Sequence, residues 1–151
     1  MYISKNGKNL IKNFEGLRLK AYRCSANKLT IGYGHTGVDV KESMLITQEQ
    51  ANMLFDKDID IHCKNVQRLV KVQLTQNEFD ALVSFEFNVG CSKLANSTLL
   101  KKLNSGDKSG AADELLRWVY AGNKPLEGLK RRRIKEREVF VYGYVRITSP
   151  V

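Results

Sequence analysis

The chain is poor in proline and cysteine. It has two prolines, both late in the sequence, and three cysteines without a Cys-x-x-Cys pair. The odd number of cysteines and their spacing exclude a disulfide framework and a zinc site of the Cys-x-x-Cys type. No apolar run approaches the roughly 20 residues of a membrane span. Three lysines lie in the first twelve residues with no apolar segment behind them, so we expect no signal peptide and synthesis in the cytosol.

The length of the chain limits the number of domains, and its charge indicates the class of binding partner. A chain of 151 residues fits one compact domain, or two lobes on one chain. The formal net charge of +9 directs the protein towards polyanions such as nucleic acid, anionic lipid or the acidic polymers of a cell envelope. Part of the excess lies in residues 130–137, which are equally well interpreted as a solvated helix face. This run contains no interleaved aromatic residue, which argues against a stacking site for single-stranded nucleic acid.

The first third of the chain is predicted to combine a helix and a hairpin. Apolar residues at one helical spacing predict a helix over Asn9–Glu15 that ends at Gly16. Alternating apolar and polar residues between Leu17 and Tyr33, around a turn at residues 25–28, predict a β-hairpin.

The remainder is predicted to be helical. The pattern Thr47-x-x-Gln50 has the form of a capping box and begins a helix that runs to about Val70; a second box begins at Thr75. Shorter helices are predicted over residues 97–104 and 107–121, and a last one from Pro125 to near Gly143. We therefore predict an α+β, predominantly α-helical protein. Its single domain, 1–151, would comprise a β-containing lobe (about 1–46), a connecting helix (about 47–72) and a helical lobe (about 73–151).

Three residues have the spacing that glycosidic hydrolysis would use. This reaction needs a proton donor at the leaving oxygen and a second group that attacks or activates water. The donor is usually a carboxylic acid at the edge of an apolar pocket. Glu15 fits by its position at a helix end. Cys24 follows at the tip of the first strand and Thr30 on the returning strand, so the hairpin brings both towards the helix end.

This spacing resembles the phage-type lysozymes, or endolysins, of glycoside hydrolase family 24. Their pattern is Glu, eight residues, Asp or Cys, five residues, Thr. The resemblance covers about the whole chain, through the segments 15–24, 30–35, 54–58, 87–90 and 128–136. It implies a lysozyme-like two-lobed fold. It also implies hydrolysis of the β-1,4 bond between N-acetylmuramic acid and N-acetylglucosamine in peptidoglycan, by a monomer that requires no metal and no cofactor.

The resemblance also implies individual roles. Glu15 would be the general acid, and Thr30 with Cys24 would hold and activate the attacking water, consistent with an inverting mechanism. Thr36 and Phe87 would contact the sugar. Arg132 would pair with Glu15, although a shift of one residue would give this role to one of its neighbours, Arg131 or Arg133.

Two further acid–base features are expected to be structural. The resemblance pairs His35 with Asp58, so replacing His35 by Asn should lower stability and leave the activity of folded protein nearly intact. Glu86 is an unusual acid on an apolar helical face. We expect it to be either a partly exposed structural residue or the partner of a nearby base. Trp118 is expected in the core.

Cys24 stands where most relatives carry Asp, and this leaves two hypotheses. A thiol is largely neutral at pH 7 unless its surroundings lower its pKa. Either Cys24 is a working catalytic residue that alkylation would silence, or the substitution has weakened catalysis and the protein survives as a cationic, envelope-binding protein. Nucleic-acid binding through residues 130–137 is a third possibility, although no specific nucleic acid is expected.

Release from the cell is a further expectation. Family members with a hydrophobic N-terminal anchor export themselves. Without such an anchor or a membrane span, this chain would wait in the host cytoplasm until a holin opened the membrane to the periplasm and cell wall.

Overall fold

The computed structural model describes residues 1–144. Its helices are α1 Lys5–Glu15, α2 Gln48–Leu69, α3 Gln76–Val89, α4 Cys91–Ala95, α5 Thr98–Asn104, α6 Lys108–Leu115 and α7 Glu127–Tyr142. Its strands are β1 Arg18–Arg23, β2 Leu29–Gly32, β3 His35–Thr36, β4 Tyr120–Ala121 and β5 Lys124–Pro125. The α+β, predominantly helical class is confirmed. The last seven positions of the predicted helical lobe lie outside the described residues. Within those residues, no helix combines the length and apolarity needed to cross a membrane.

The chain divides into two compact units. Residues Asn9–Ile61 form one of them, called the hairpin unit here. The helical unit combines Met1–Lys8 with the chain from His62 onward. The boundaries therefore fall within α1 and α2.

The hairpin unit contains an antiparallel sheet in the order β1-β2-β3. In its register, Thr30 of β2 lies opposite Tyr22 of β1 on one side and Thr36 of β3 on the other. The other edge of β1 is covered by the segment 44–46, which pairs with the strand through a bridge between Lys20 and Leu45. The predicted hairpin is thus confirmed, with a third short strand added.

Lys12 holds the end of α1 within the hairpin unit. Its Nζ donates a hydrogen bond of 3.1 Å to Asn52 Oδ1 on α2. The same ammonium lies 5.1 Å from the ring centroids of both Tyr33 and Phe55, which is within the range of cation–π attraction. The last turn of α1, which carries Glu15, is therefore fixed against α2 and the turn after β2.

In the helical unit, α3 is buried on every side from Glu78 to Glu86 and packs mainly against α7. Its predicted capping box is confirmed. The Thr75 hydroxyl accepts a hydrogen bond of 3.1 Å from the Glu78 amide, and the Glu78 carboxylate accepts one of 2.8 Å from the Thr75 amide. The capping box predicted at Thr47 and Gln50 also forms. The Thr47 amide donates to Gln50 Oε1 at 2.9 Å, and the Gln50 amide donates to Thr47 Oγ1 at 3.1 Å.

Two helix boundaries differ from the sequence prediction. The first helix begins at Lys5 instead of Asn9, because the Ser4 hydroxyl accepts a hydrogen bond of 3.1 Å from the Gly7 amide and so caps an earlier turn. The helix predicted over 107–121 ends at Leu115, and the β4–β5 hairpin follows. There the Trp118 carbonyl leaves the helical path and accepts a hydrogen bond of 2.9 Å from Arg133 Nε.

His35 connects β3 to α2 inside the hairpin unit. Its Nδ1 lies 2.7 Å from Asp58 Oδ2, and its Nε2 lies 3.0 Å from Asp39 Oδ2. Burial lowers the pKa of His35, but the hydrogen bonds and charges of Asp58 and Asp39 outweigh this, so the pKa lies above its ordinary value. The hydrogen bond from His35 lowers the pKa of Asp39 correspondingly.

Replacing His35 by Asn is expected to destabilise the protein by about 1–3 kcal/mol, since two charge-assisted hydrogen bonds are lost. The raised pKa means that the native state binds the proton more tightly than the unfolded chain does. The stabilisation of the fold by His35 is therefore complete below pH 6.5, the ordinary pKa of histidine, while both carboxylates remain ionised. This stabilisation is lost as the pH rises through the higher pKa that His35 has in the native state. Urea unfolding of both proteins between pH 5 and about pH 8 measures the difference. A deficit that grows with pH over this range would contradict the expectation.

Candidate active site

Glu15 is the last residue of α1 and is half-buried. Gly34, in the turn between β2 and β3, lies directly against its carboxylate: a Cβ at position 34 would be 3.0 Å from Glu15 Oε1. Gly34 also has a φ of +81°, in the left-handed region that favours glycine. The close approach and the backbone conformation together explain why glycine occupies this position.

The Cys24 thiol lies in a tight turn just after β1. The Cys24 amide donates to the Lys28 carbonyl at 3.0 Å, and the Asn27 amide donates to the Cys24 carbonyl at 2.8 Å. Backbone hydrogen bonds from Lys28 and Ala26, followed by a side-chain hydrogen bond from Thr30, lower the pKa of the thiol. Desolvation opposes this effect only in part. The turn therefore increases the fraction of thiolate, which is the reactive form of cysteine.

Thr30 is 3% exposed and has one hydroxyl proton to donate. That proton can go to the Lys28 carbonyl, 3.0 Å away, or to the Cys24 sulfur. When Cys24 is ionised, the stronger acceptor is the thiolate. The state of the hydroxyl is thus coupled to the ionisation of the thiol.

Thr36 is exposed next to this pair. It lines an open cavity of about 400 Å³ between the hairpin tip and the loop after β3. The other lining residues are Arg23, Asn27, Lys28, Leu29, Gly37, Val38 and Val40. The hairpin unit thus holds the predicted residues Glu15, Cys24, Thr30 and Thr36, as well as the pair of His35 with Asp58.

The guanidinium of Arg23 is directed to partners other than Cys24. It forms an ion pair of 2.7 Å with Glu42 and donates to the Asn27 carbonyl at 3.1 Å. The lowered pKa of the thiol therefore comes from hydrogen bonds within the turn.

The three candidate arginines belong to the helical unit and differ in their environment. Arg131 is exposed, whereas Arg132 and Arg133 are 5% and 1% exposed. Arg132 Nε donates to Glu136 Oε2 at 3.1 Å, and its Nη2 donates to the Ser84 carbonyl at 2.9 Å. Arg133 Nη1 contacts the other oxygen of Glu136. Burial lowers the pKa of Arg133, and the charge of Glu136 opposes that effect.

Phe87, the other predicted sugar contact, is partly exposed on α3 in the helical unit. Its ring lies 4.7 Å from that of His62, centroid to centroid. The adjacent Glu86 is buried and pairs with His62. The prediction that this acid is the partner of a nearby base is therefore confirmed, and the alternative of a partly exposed structural residue is wrong. Trp118 is partly buried and packs edge-on against Phe85, with 5.4 Å between ring centroids.

Sequence reasoning missed two features of these sites. Gly34 had a signal in the segment Gly32-Tyr33-Gly34, but its contact with Glu15 depends on the fold. His62 had no local signal, because its partner Glu86 lies on another helix. Among residues 1–144, no group of three or more His, Cys, Asp or Glu side chains could hold a metal ion.

Known proteins resemble this chain over most of its length. Residues 12–136 match the family model described as phage lysozyme. The endolysin of Bacillus phage B103 is 48% identical over 95% of this chain and 55% of its own length. The endolysin of Salmonella phage P22 is 45% identical over 93% of this chain and 99% of its own. The SAR-endolysin of Bacteriophage PS119 is 40% identical over 85% of this chain and 77% of its own. This chain therefore spans little more than half of the B103 protein.

Solved structures of other proteins have a closely similar fold. The endolysin from Escherichia coli O157:H7 phage FAHEc1 has a TM-score of 0.86 and 40% identity, covering 94% of both chains. The muramidase domain of SpmX from Asticaccaulis excentricus has a TM-score of 0.86 and 39% identity, covering 92% of this chain and 97% of its own. Because the family model matches most of the sequence and these relatives align over nearly all of it, the chain belongs to the phage lysozyme family.

Proposed function

We propose that the protein is an endolysin whose muramidase activity hydrolyses the β-1,4 bond between N-acetylmuramic acid and N-acetylglucosamine in peptidoglycan. The observation that carries the proposal is the site in the hairpin unit. A glutamate ends α1 against the glycine turn, and the thiol and hydroxyl of the family spacing are coupled by a hydrogen bond. Family membership supports the same reaction. In this proposal, residues 1–151 form one lysozyme domain. The protein acts as a monomer and uses no metal or cofactor.

The residues of this site divide the chemistry between them. Glu15 gives its proton to the glycosidic oxygen as the bond to the anomeric carbon breaks. The attacking water forms the new bond to that carbon and loses a proton to the Cys24 thiolate, while Thr30 orients the water. Protons balance, since the thiol then returns a proton through solvent to Glu15. Attack by water on the face opposite the leaving group inverts the anomeric configuration.

Substrate contacts would come from three further residues. Thr36 is exposed beside Thr30, and Phe87 offers part of an aromatic ring to a sugar face. Arg132 is the third proposed substrate-binding residue, and its guanidinium is oriented by Glu136 and the Ser84 carbonyl.

The Glu15→Gln variant should lose activity by about 100- to 10,000-fold, the usual contribution of a general acid. Release of reducing ends from purified Gram-negative peptidoglycan measures this loss, and Glu49→Gln, an exposed acid at the start of α2, serves as the matched control. Equal activity of Glu15→Gln and native protein would contradict the proposed role. If neither releases reducing ends but both bind the polymer, the protein is the cationic envelope binder.

Iodoacetamide should abolish activity by alkylating Cys24. Because the pKa of the thiol is lowered, the rate of inactivation should reach half its maximum below pH 9.0, the ordinary value. The experiment uses a Cys91→Ser background, since Cys91 is also partly exposed, whereas Cys63 is buried.

Variants of Cys24 provide the control for this chemistry. The family alternative, Cys24→Asp, should keep activity and become resistant to iodoacetamide, whereas Cys24→Ala should lose activity. Alkylated protein that lyses cell walls at the native rate would show that the thiol has no catalytic part.

The proposed route to the substrate is release from the host cytoplasm by a holin. Expression in Escherichia coli should cause lysis only when a holin is co-expressed. Lysis by this chain alone, at the same expression level, would contradict the holin requirement and leave the muramidase activity unaffected.

A further inference from the structure

Glu86 is a buried acid that the proposed chemistry does not use. Its side chain is 1% exposed and lies on α3 among apolar neighbours such as Val83 and Phe85. Its carboxylate lies 2.6 Å from His62 Nδ1 and accepts a hydrogen bond of 3.3 Å from Asn65. Burying such a pair is costly, and apolar residues of similar volume often stabilise a fold equally well or better. Packing alone therefore does not explain the pair.

His62 presents its other edge outward. Its Nδ1 is occupied by the buried carboxylate, while its side chain remains 25% exposed. Within residues 1–144, Nε2 has no hydrogen-bond partner. A ring nitrogen held in a fixed orientation and open to solvent is a ready hydrogen-bonding group for a ligand.

The same imidazole packs beside a candidate glycan contact. The rings of His62 and Phe87 are 4.7 Å apart with an interplanar angle of 55°. A sugar that lies on the Phe87 ring would present its equatorial hydroxyl and acetamido groups at the edge of that ring. A polar group next to an aromatic platform is the arrangement that fixes the orientation of a bound ligand.

We propose that His62, held by Glu86, is a glycan-binding residue whose Nε2 hydrogen-bonds a hydroxyl or acetamido group of the sugar that contacts Phe87. This inference rests on the proposed function, since it takes peptidoglycan as the ligand. Neutral imidazole with Nδ1–H directed to Glu86 accepts from a sugar hydroxyl through Nε2. Protonated imidazole donates there instead, to a hydroxyl or to the acetamido carbonyl.

The test replaces the pair by apolar residues, His62→Phe with Glu86→Leu, so that no buried charge is left without a partner. The KM for soluble uncrosslinked peptidoglycan strands should rise about tenfold, the effect of losing one hydrogen bond, with kcat within about twofold of native. The apparent stability in urea should not fall. In the Glu15→Gln background, the same double replacement should weaken binding of those strands by a similar factor.

A second variant keeps the proposal falsifiable if the double variant does not fold. In His62→Gln, the new amide can still donate to Glu86, but the outward ring nitrogen is gone, and the same rise in KM is expected. The matched control replaces another ion pair of the helical unit, Lys102→Leu with Glu114→Leu. In that pair, Lys102 Nζ lies 3.1 Å from Glu114 Oε2. The KM of this control should stay at the native value.

The outcomes separate this inference from the proposed function. Native KM in both His62 variants, or lower stability with unchanged strand binding, would overturn the inference and leave the muramidase assignment intact. If native protein releases no reducing ends, the proposed function fails. Strand binding by Glu15→Gln with and without the His62 replacements then decides the inference separately: weaker binding supports it, and equal binding overturns it.

Discussion

The helical unit depends on the neutralisation of one buried carboxylate. Glu136 is fully buried and accepts a hydrogen bond of 2.6 Å from Ser84 on α3, while Arg132 and Arg133 bind its two oxygens. Leaving such a charge without a partner costs about 3–5 kcal/mol, so these helices have to meet in one register. Arg133 then extends the constraint to the Trp118 carbonyl, where α6 has ended and β4 begins.

This cluster changes how the basic run is interpreted. Residues 130–137 are equally consistent, in sequence, with a solvated face or a polyanion-binding surface. In the fold, two of the six cations are buried against Glu136, and three others form ion pairs with Glu127, Glu138 and Asp113. Much of the local charge is thus balanced within the protein, which weakens the attraction of this run for an anionic polymer.

Features that depend on interactions between residues close in sequence could be predicted, whereas features that depend on interactions between distant residues could not. The helix starts at Thr47 and Thr75 are encoded within four residues, so the capping pattern was enough to predict them. After the end of α6, the Trp118 carbonyl accepts a hydrogen bond from Arg133, which lies 15 residues away, and no local pattern predicts this contact. Likewise, the spacing of Glu15, Cys24 and Thr30 could be recognised, whereas the source of the thiol's lowered pKa required the turn itself.

The discontinuity of the helical unit has a consequence for folding during synthesis. The hairpin unit is one continuous stretch, so all its contacts become possible once Ile61 has been made. Met1–Lys8 belong to the other unit, where Ser4 binds Asp80, and Asp80 in turn accepts a hydrogen bond of 2.7 Å from Tyr144. Residues 1–8 therefore leave the ribosome before their partners in the helical unit have been translated. Contacts of such long sequence separation form slowly, so the nascent chain passes through a stage in which one unit is folded and the other is still open.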